Sequence, residues 1–138
     1  MQIKSEATLD EFRGPGVCAW CQKKVRGRQA HHLRCKGRGF RMDVRWNLAP
    51  LCFAFSGGCN CHDKIQGNKE LNDQLWERVA IREGTSLDCA MRTLWWFDRL
   101  SKNSTHDQIE RALTSADPDV AILARLTLIR AGKLPEVF

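Results

Sequence analysis

The fold turns on one stretch, residues 18–62. It reads Cys18-Ala19-Trp20-Cys21, then Ala30-His31-His32-Leu33, then Trp46-Asn47-Leu48-Ala49-Pro50-Leu51-Cys52, and it closes with Cys59-Asn60-Cys61-His62. Two cysteine groups flank a double histidine. Asn47 follows His32 by 15 residues, and a third histidine stands directly behind the last cysteine. Sulfur ligands at such spacings suit a closed tetrahedral metal site, and imidazoles suit a site that keeps a position open for water or substrate. The arrangement suits metal-assisted hydrolysis of a phosphodiester.

Seven cysteines allow disulfides or metal. The first 13 residues are mixed and polar, unlike a secretory leader. Clustered Cys-x-x-Cys in a chain expected in the cytosol, bacterial or infected-host, favours zinc over disulfides. Cys18, Cys21 and Cys52 supply three ligands, and either Cys61 or Cys59 completes the set. Buried, unliganded cysteine is the alternative. Cys35 lies among cations, where a thiol can ionise early, but a plain loop residue explains it better. Cys89 falls on an apolar helix face and is read as core.

On a strand, His31 and His32 point to opposite faces. Only a twist or bulge brings both to one site. One can then bind metal while the other stays free as a base with near-neutral proton affinity. Alone, each has a plain structural explanation: a packed histidine pair, an asparagine in a turn, a capping His62. The constellation carries the inference.

That constellation resembles the HNH nucleases, the zinc-knuckle form of the ββα-metal fold, over residues 18–66. The shared features are Cys18 and Cys21, the double histidine, Asn47, Cys52 and Cys61-His62. The resemblance implies an α+β fold. It places His31 and His62 as ligands of a catalytic divalent ion, Mg2+, Mn2+, Ni2+ or Zn2+. His32 stands as general base, and Asn47 as the residue that orients the base and braces the loop. Cys18, Cys21, Cys52 and Cys61 would hold structural Zn2+. The implied products are a 5′-phosphate and a 3′-hydroxyl. Residues 53–58 are an insertion relative to the family and leave the fourth zinc ligand open between Cys61 and Cys59. Ile65-Gln66-Gly67-Asn68 and the helix after it also look like small phage and prophage HNH proteins of recombination.

Outward from this stretch, the charge is uneven. Net charge is +6, and nine Lys/Arg lie between positions 23 and 45 with Asp43 the only acid among them. Such a block suits a polyanion, because cations displace the counterions condensed on phosphates. It equally suits a solvated basic loop. Beside the histidine pattern it points to DNA, with Arg34, Lys36, Arg38, Arg41 and Arg45 as contacts. No apolar stretch approaches the roughly 20 residues that span a bilayer.

The organisation expected is an arm over 1–16 ending at Gly14-Pro15-Gly16, the HNH core over 17–67, and a helical extension over 68–138 packed on it. Extended segments are expected over 29–33 and 47–52, the second irregular or at an edge because of Pro50. A helical turn is expected from 61 to about 66. Asn68, Thr85 or Ser86, Ser104 or Thr105, and Asp117 before Pro118 are helix starts. Gly84 and Gly132 are stops. His106 reads as exposed, Trp95-Trp96-Phe97 as core, and Trp20 and Trp46 as either core or site. The aromatic-rich helical face could support a homodimer, though packing within one chain explains it as well.

A metal-dependent endonuclease leads. A zinc-knuckle DNA-binding module without catalysis would need neither His32 nor Asn47. A nuclease-like partner docking a recombination or packaging protein is a third class. Neutralising Arg34, Lys36 and Arg38 together is expected to weaken binding to unrelated DNA sequences alike and to flatten its salt dependence. Fluorescence anisotropy across a salt series measures this; an unchanged slope would move the DNA face elsewhere.

Overall fold

A computed structural model describes residues 2–34, 41–99, 111 and 113–130. Cys35, Lys36, Arg38, Leu100, Ser104, Thr105, His106 and Gly132 lie outside the described residues. Among the described residues the chain is mixed α+β, with three two-stranded sheets and helices packed together. In order it forms β1 (Gln2–Ile3), α1 (Glu6–Asp10), β2 (Gly16–Val17), β3 (Lys24–Val25), β4 (Arg28–His32) and β5 (Arg41–Met42). A 3-10 turn (Arg45–Asn47), β6 (Leu48–Cys52), α2 (Cys61–Ile65), α3 (Lys69–Arg82), α4 (Leu87–Arg99) and α5 (Pro118–Arg130) follow. None of the described helices is long and apolar enough to cross a membrane.

The central unit is the antiparallel pair β4–β6, with Ala30 opposite Pro50 and His31 opposite Ala49. Proline has no N–H to donate, so β6 tolerates Pro50 by pairing on one side only. Every residue of β6 is buried, because other elements cover both its faces. The chain then turns through residues 53–60 into α2.

The first sixteen residues are more than an arm. β1 runs parallel to β5, with Ile3 beside Met42, and Ile3, Leu9 and Phe12 are buried. Ser5 caps α1 by accepting the Thr8 N–H. Three buried side chains here remove apolar area from water, about 1.5–3 kcal/mol for each large one fully buried.

Helix α3 starts where Asn68 accepts the Leu71 N–H. Gly67, at φ +79°, makes the left-handed turn before it, a conformation that costs glycine little. Leu75, Trp76, Val79 and Ala80 are its buried face, at the 3–4 residue spacing of one side of a helix. Ser86 caps α4 through the Cys89 N–H. Asp117 caps α5 through the Asp119 and Val120 N–H groups. On α4 the buried residues among those described are Cys89, Ala90, Thr93 and Leu94, and the side chain of Phe97 lies outside the described ones. Trp95 was expected in the core but is 50% exposed, because it follows the inward pair Thr93-Leu94 and turns outward, edge-on to Trp96. Met91 and Leu126 likewise face out.

One apolar cluster runs from Ile3 and Cys18 through β6 and α3 to Leu128 of α5. Two tryptophans stitch it. Trp76 donates its indole N–H to the Trp46 carbonyl at 3.0 Å, and Trp46 donates its own to Thr127 Oγ1 at 2.8 Å. A buried indole needs such a partner. Trp46→Ala is expected to cost about 3–5 kcal/mol and to shift a single urea transition seen alike by helical circular dichroism and by fluorescence. A helical signal that stayed in place would mean that α3–α5 hold together without the rest.

Candidate functional site

Cys18 and Cys21 sit in the turn between β2 and β3. The turn is held by Cys18 N–H to the Lys23 carbonyl and by Gln22 N–H to the Cys18 carbonyl. Ala19 N–H reaches the Pro50 carbonyl at 2.8 Å and pins this knuckle to β6. Cys52 ends β6, and Cys61 opens α2. The four sulfurs lie within 4.8 Å of one another, and Cys21 and Cys52 are 3.9 Å apart. A tetrahedral ion with bonds of about 2.3 Å sets its sulfurs roughly 3.8 Å apart. The cluster could therefore bind a metal ion such as zinc.

The fourth member is Cys61, and Cys59 is outside the group. Cys59 turns instead to the Lys23 ammonium, which it holds above the ordinary lysine range. The return of the chain requires glycine at position 58. A Cβ there would stand 2.7 Å from Cys52 Sγ and 2.9 Å from Val25. Burial pushes the Cys61 and Cys18 thiols up. Burial pushes Cys52 up too, but hydrogen bonds from the Cys61 N–H and neighbouring thiols outweigh it and draw Cys52 down to about 7. A cluster that sheds its first proton this readily is suited to thiolate ligation.

The histidines line a cleft of about 540 Å³ between β4, α2 and the start of α3. His31 and His62 face each other edge to face, with ring centroids 5.4 Å apart. An ion bound to two imidazoles at roughly 2.1 Å holds their centroids about 5 Å apart. His31 is fixed from α3. The Asn72 amide nitrogen donates to the Leu33 carbonyl at 2.7 Å, so its oxygen faces His31 Nε2 at 2.9 Å as an acceptor. That leaves His31 Nδ1 with the lone pair. Burial holds this imidazole below the ordinary range against the opposing Asn72 bond, and His62 and His32 lower it further.

His32 also lines the cleft but is held by a different partner. Its Nε2 lies 2.8 Å from Asp43 Oδ1. The Asp43 carboxylate is buried and also receives Arg41 Nε and the Ser5 N–H. Burial raises its proton affinity, but the bonds from Arg41, His32 and Ser5 outweigh it and hold the carboxyl below the usual range.

Asn47 is fully buried. Its oxygen accepts the Arg34 N–H, and its amide donates to the Arg34 and Met42 carbonyls. It thus clamps both ends of the connection between β4 and β5. All of these Asn47 bonds are to backbone, and the side chain bonded to His32 is that of Asp43. Of the expected DNA contacts, Arg34 is exposed. Arg41 is engaged by Asp43 and Glu6. Arg45 is engaged by Glu83 and Glu11 and stacks over Phe12. These two guanidiniums have carboxylate partners within the chain, so they serve the fold first. The sequence carried one signal for Asp43, as the lone acid in the basic block; it carried none for Asn72.

No protein-family model matches the chain, and neither a curated protein nor a solved structure matches it.

Serine substitutions separate the sulfurs. Cys52→Ser and Cys61→Ser are expected to lose a tightly held metal ion, while Cys59→Ser retains about one per chain. Elemental analysis of the purified variants measures this. Loss with Cys59→Ser alone would put the wrong sulfur in the cluster.

Proposed function

We propose that the protein is a metal-dependent DNA endonuclease of HNH type, with zinc in the cysteine cluster and His32 as general base. The observation that carries this is the cleft itself. Two imidazoles stand 5.4 Å apart on β4 and α2, and the next residue on β4 is a histidine tethered to a buried carboxylate. The paired strands β4 and β6 followed by α2 support the β-β-α arrangement the resemblance implies. Asn47 and the double histidine sit on that hairpin and its connection.

Each group has a chemical task. His31 Nδ1 and the His62 ring would hold a divalent ion. When bound, that ion would stabilise charge on the phosphate and on the leaving 3′ oxygen. With two neutral ligands and no carboxylate between them, the cleft would hold such an ion weakly until a phosphate arrives. His32 Nδ1 removes the proton from water as the water oxygen attacks phosphorus in line with the leaving oxygen. Arg34, exposed directly after Leu33 of the cleft wall, is available to the phosphate backbone. The basic composition of residues 23–45 favours a polyanion over a small phosphoester.

Incubation with supercoiled, linear, single-stranded and four-way-junction DNA under Mg2+, Mn2+, Ni2+ or Zn2+ tests this reading. His32→Ala is expected to lower cleavage by about 10²–10⁴-fold while DNA binding persists. His62→Ala is expected to be partly rescued by more metal, because His31 remains. Binding without cleavage under every ion would make the chain a non-catalytic DNA-binding module. If His31→Ala abolished proton transfer and His32→Ala abolished metal binding, the two roles would be exchanged.

A further inference from the structure

Asp43 belongs to none of the expected site residues, yet its side chain is wholly buried beside one of them. A carboxylate offers only acceptors. With Oδ1 2.8 Å from His32 Nε2, the hydrogen in that contact must be on the imidazole. The other neutral tautomer would set a nitrogen lone pair against a buried anion. His32 Nε2 therefore carries the proton, and Nδ1 carries the lone pair.

The carboxylate is itself held rigidly. Arg41 Nε bonds both oxygens at 2.9 and 3.0 Å, and the Ser5 N–H bonds Oδ2 at 2.9 Å. The Asp43 N–H reaches the Ile3 carbonyl at 2.7 Å, which extends the β1–β5 pairing by one hydrogen bond. The arm and the basic loop thus meet on the group that faces His32. Arg41 compensates the buried charge, so an anion can persist there without protonation.

We propose that Asp43 is the positioning residue for His32, fixing its ring orientation and its Nε2–H tautomer so that Nδ1 is presented as the base. The catalytic consequence rests on the endonuclease reading; the tautomer does not. Asparagine at position 43 keeps the shape but offers an amide N–H toward Nε2, which selects the opposite tautomer. In a Ser–His–Asp triad the same exchange leaves the geometry intact and lowers kcat about 10⁴-fold.

The test is long-range 1H–15N correlation on the full-length protein labelled with 15N-histidine, without added divalent ion, above the ordinary imidazole range. The wild-type protein is expected to show His32 protonated at Nε2 and bare at Nδ1. Asp43→Asn is expected to move the proton to Nδ1. It is also expected to lower kcat about 10²–10⁴-fold with little change in KM for DNA. A wild-type His32 protonated at Nδ1 would overturn the proposal whether or not the variant folds. So would an Asp43→Asn protein with an unchanged tautomer, or one that cleaves as fast as wild type. If the tautomer switches as expected but the wild-type protein cleaves no DNA, the endonuclease reading fails and the positioning role stands.

Discussion

Cys18 and Cys21, Cys52, and Cys61 come from three separate parts of the chain, and their sulfurs meet within 4.8 Å. That convergence sets the positions of the neighbouring chemical groups. Cys52 ends β6, so anchoring it fixes the strand that pairs with both adjacent histidines. Cys61 opens α2, so anchoring it places His62 one residue later, across the cleft from His31. Gly58 permits the return by letting backbone pass against the Cys52 sulfur. A bound ion would convert this proximity into a fixed distance, because metal–sulfur bond lengths and angles vary little.

The cleft is built from both ends of the chain. Helix α3 sends Asn72 to His31 and Trp76 to the backbone of Trp46. The N-terminal strand and helix bring Ser5 to Asp43 and cover Leu48 with Leu9 and Phe12. Arg82 borders this seam, donating to the Arg45 and Leu48 carbonyls and stacking over Phe12. Burial holds its guanidinium below its ordinary range, and the Glu83 carboxylate opposes that. Neither histidine of β4 is positioned by its own strand alone. Each has one ring nitrogen engaged by a side chain from another element, which is how an imidazole is given a single tautomer.

Charge is used in two ways. Arg41, Arg45 and Arg82 are engaged by carboxylates, carbonyls and an aromatic ring, and they tie helices to strands. Lys23, Lys24, Arg26 and Arg34 stay exposed, and from position 14 to position 62 Asp43 is the only acid. Since Asp43 is buried against Arg41, no acidic side chain from this stretch reaches the surface.

By itself the sequence determined the local features. Asn68, Thr85 or Ser86, and Asp117 marked helix starts, and Pro50 marked an edge or irregular strand. These rest on short-range sterics and capping bonds, which neighbouring residues carry. The cysteine groups marked a sulfur cluster but left its fourth member open, because spacing allowed either Cys59 or Cys61. Tertiary structure decided for Cys61, since the turn through Gly58 brings that sulfur inward and leaves Cys59 beside Lys23. It also decided which arginines face solvent, turned Trp95 outward, and brought Asp43 and Asn72 to the two histidines. Partners 11 and 41 residues apart share no periodicity. Only the packing of β1, β5 and α3 around the hairpin brings them together.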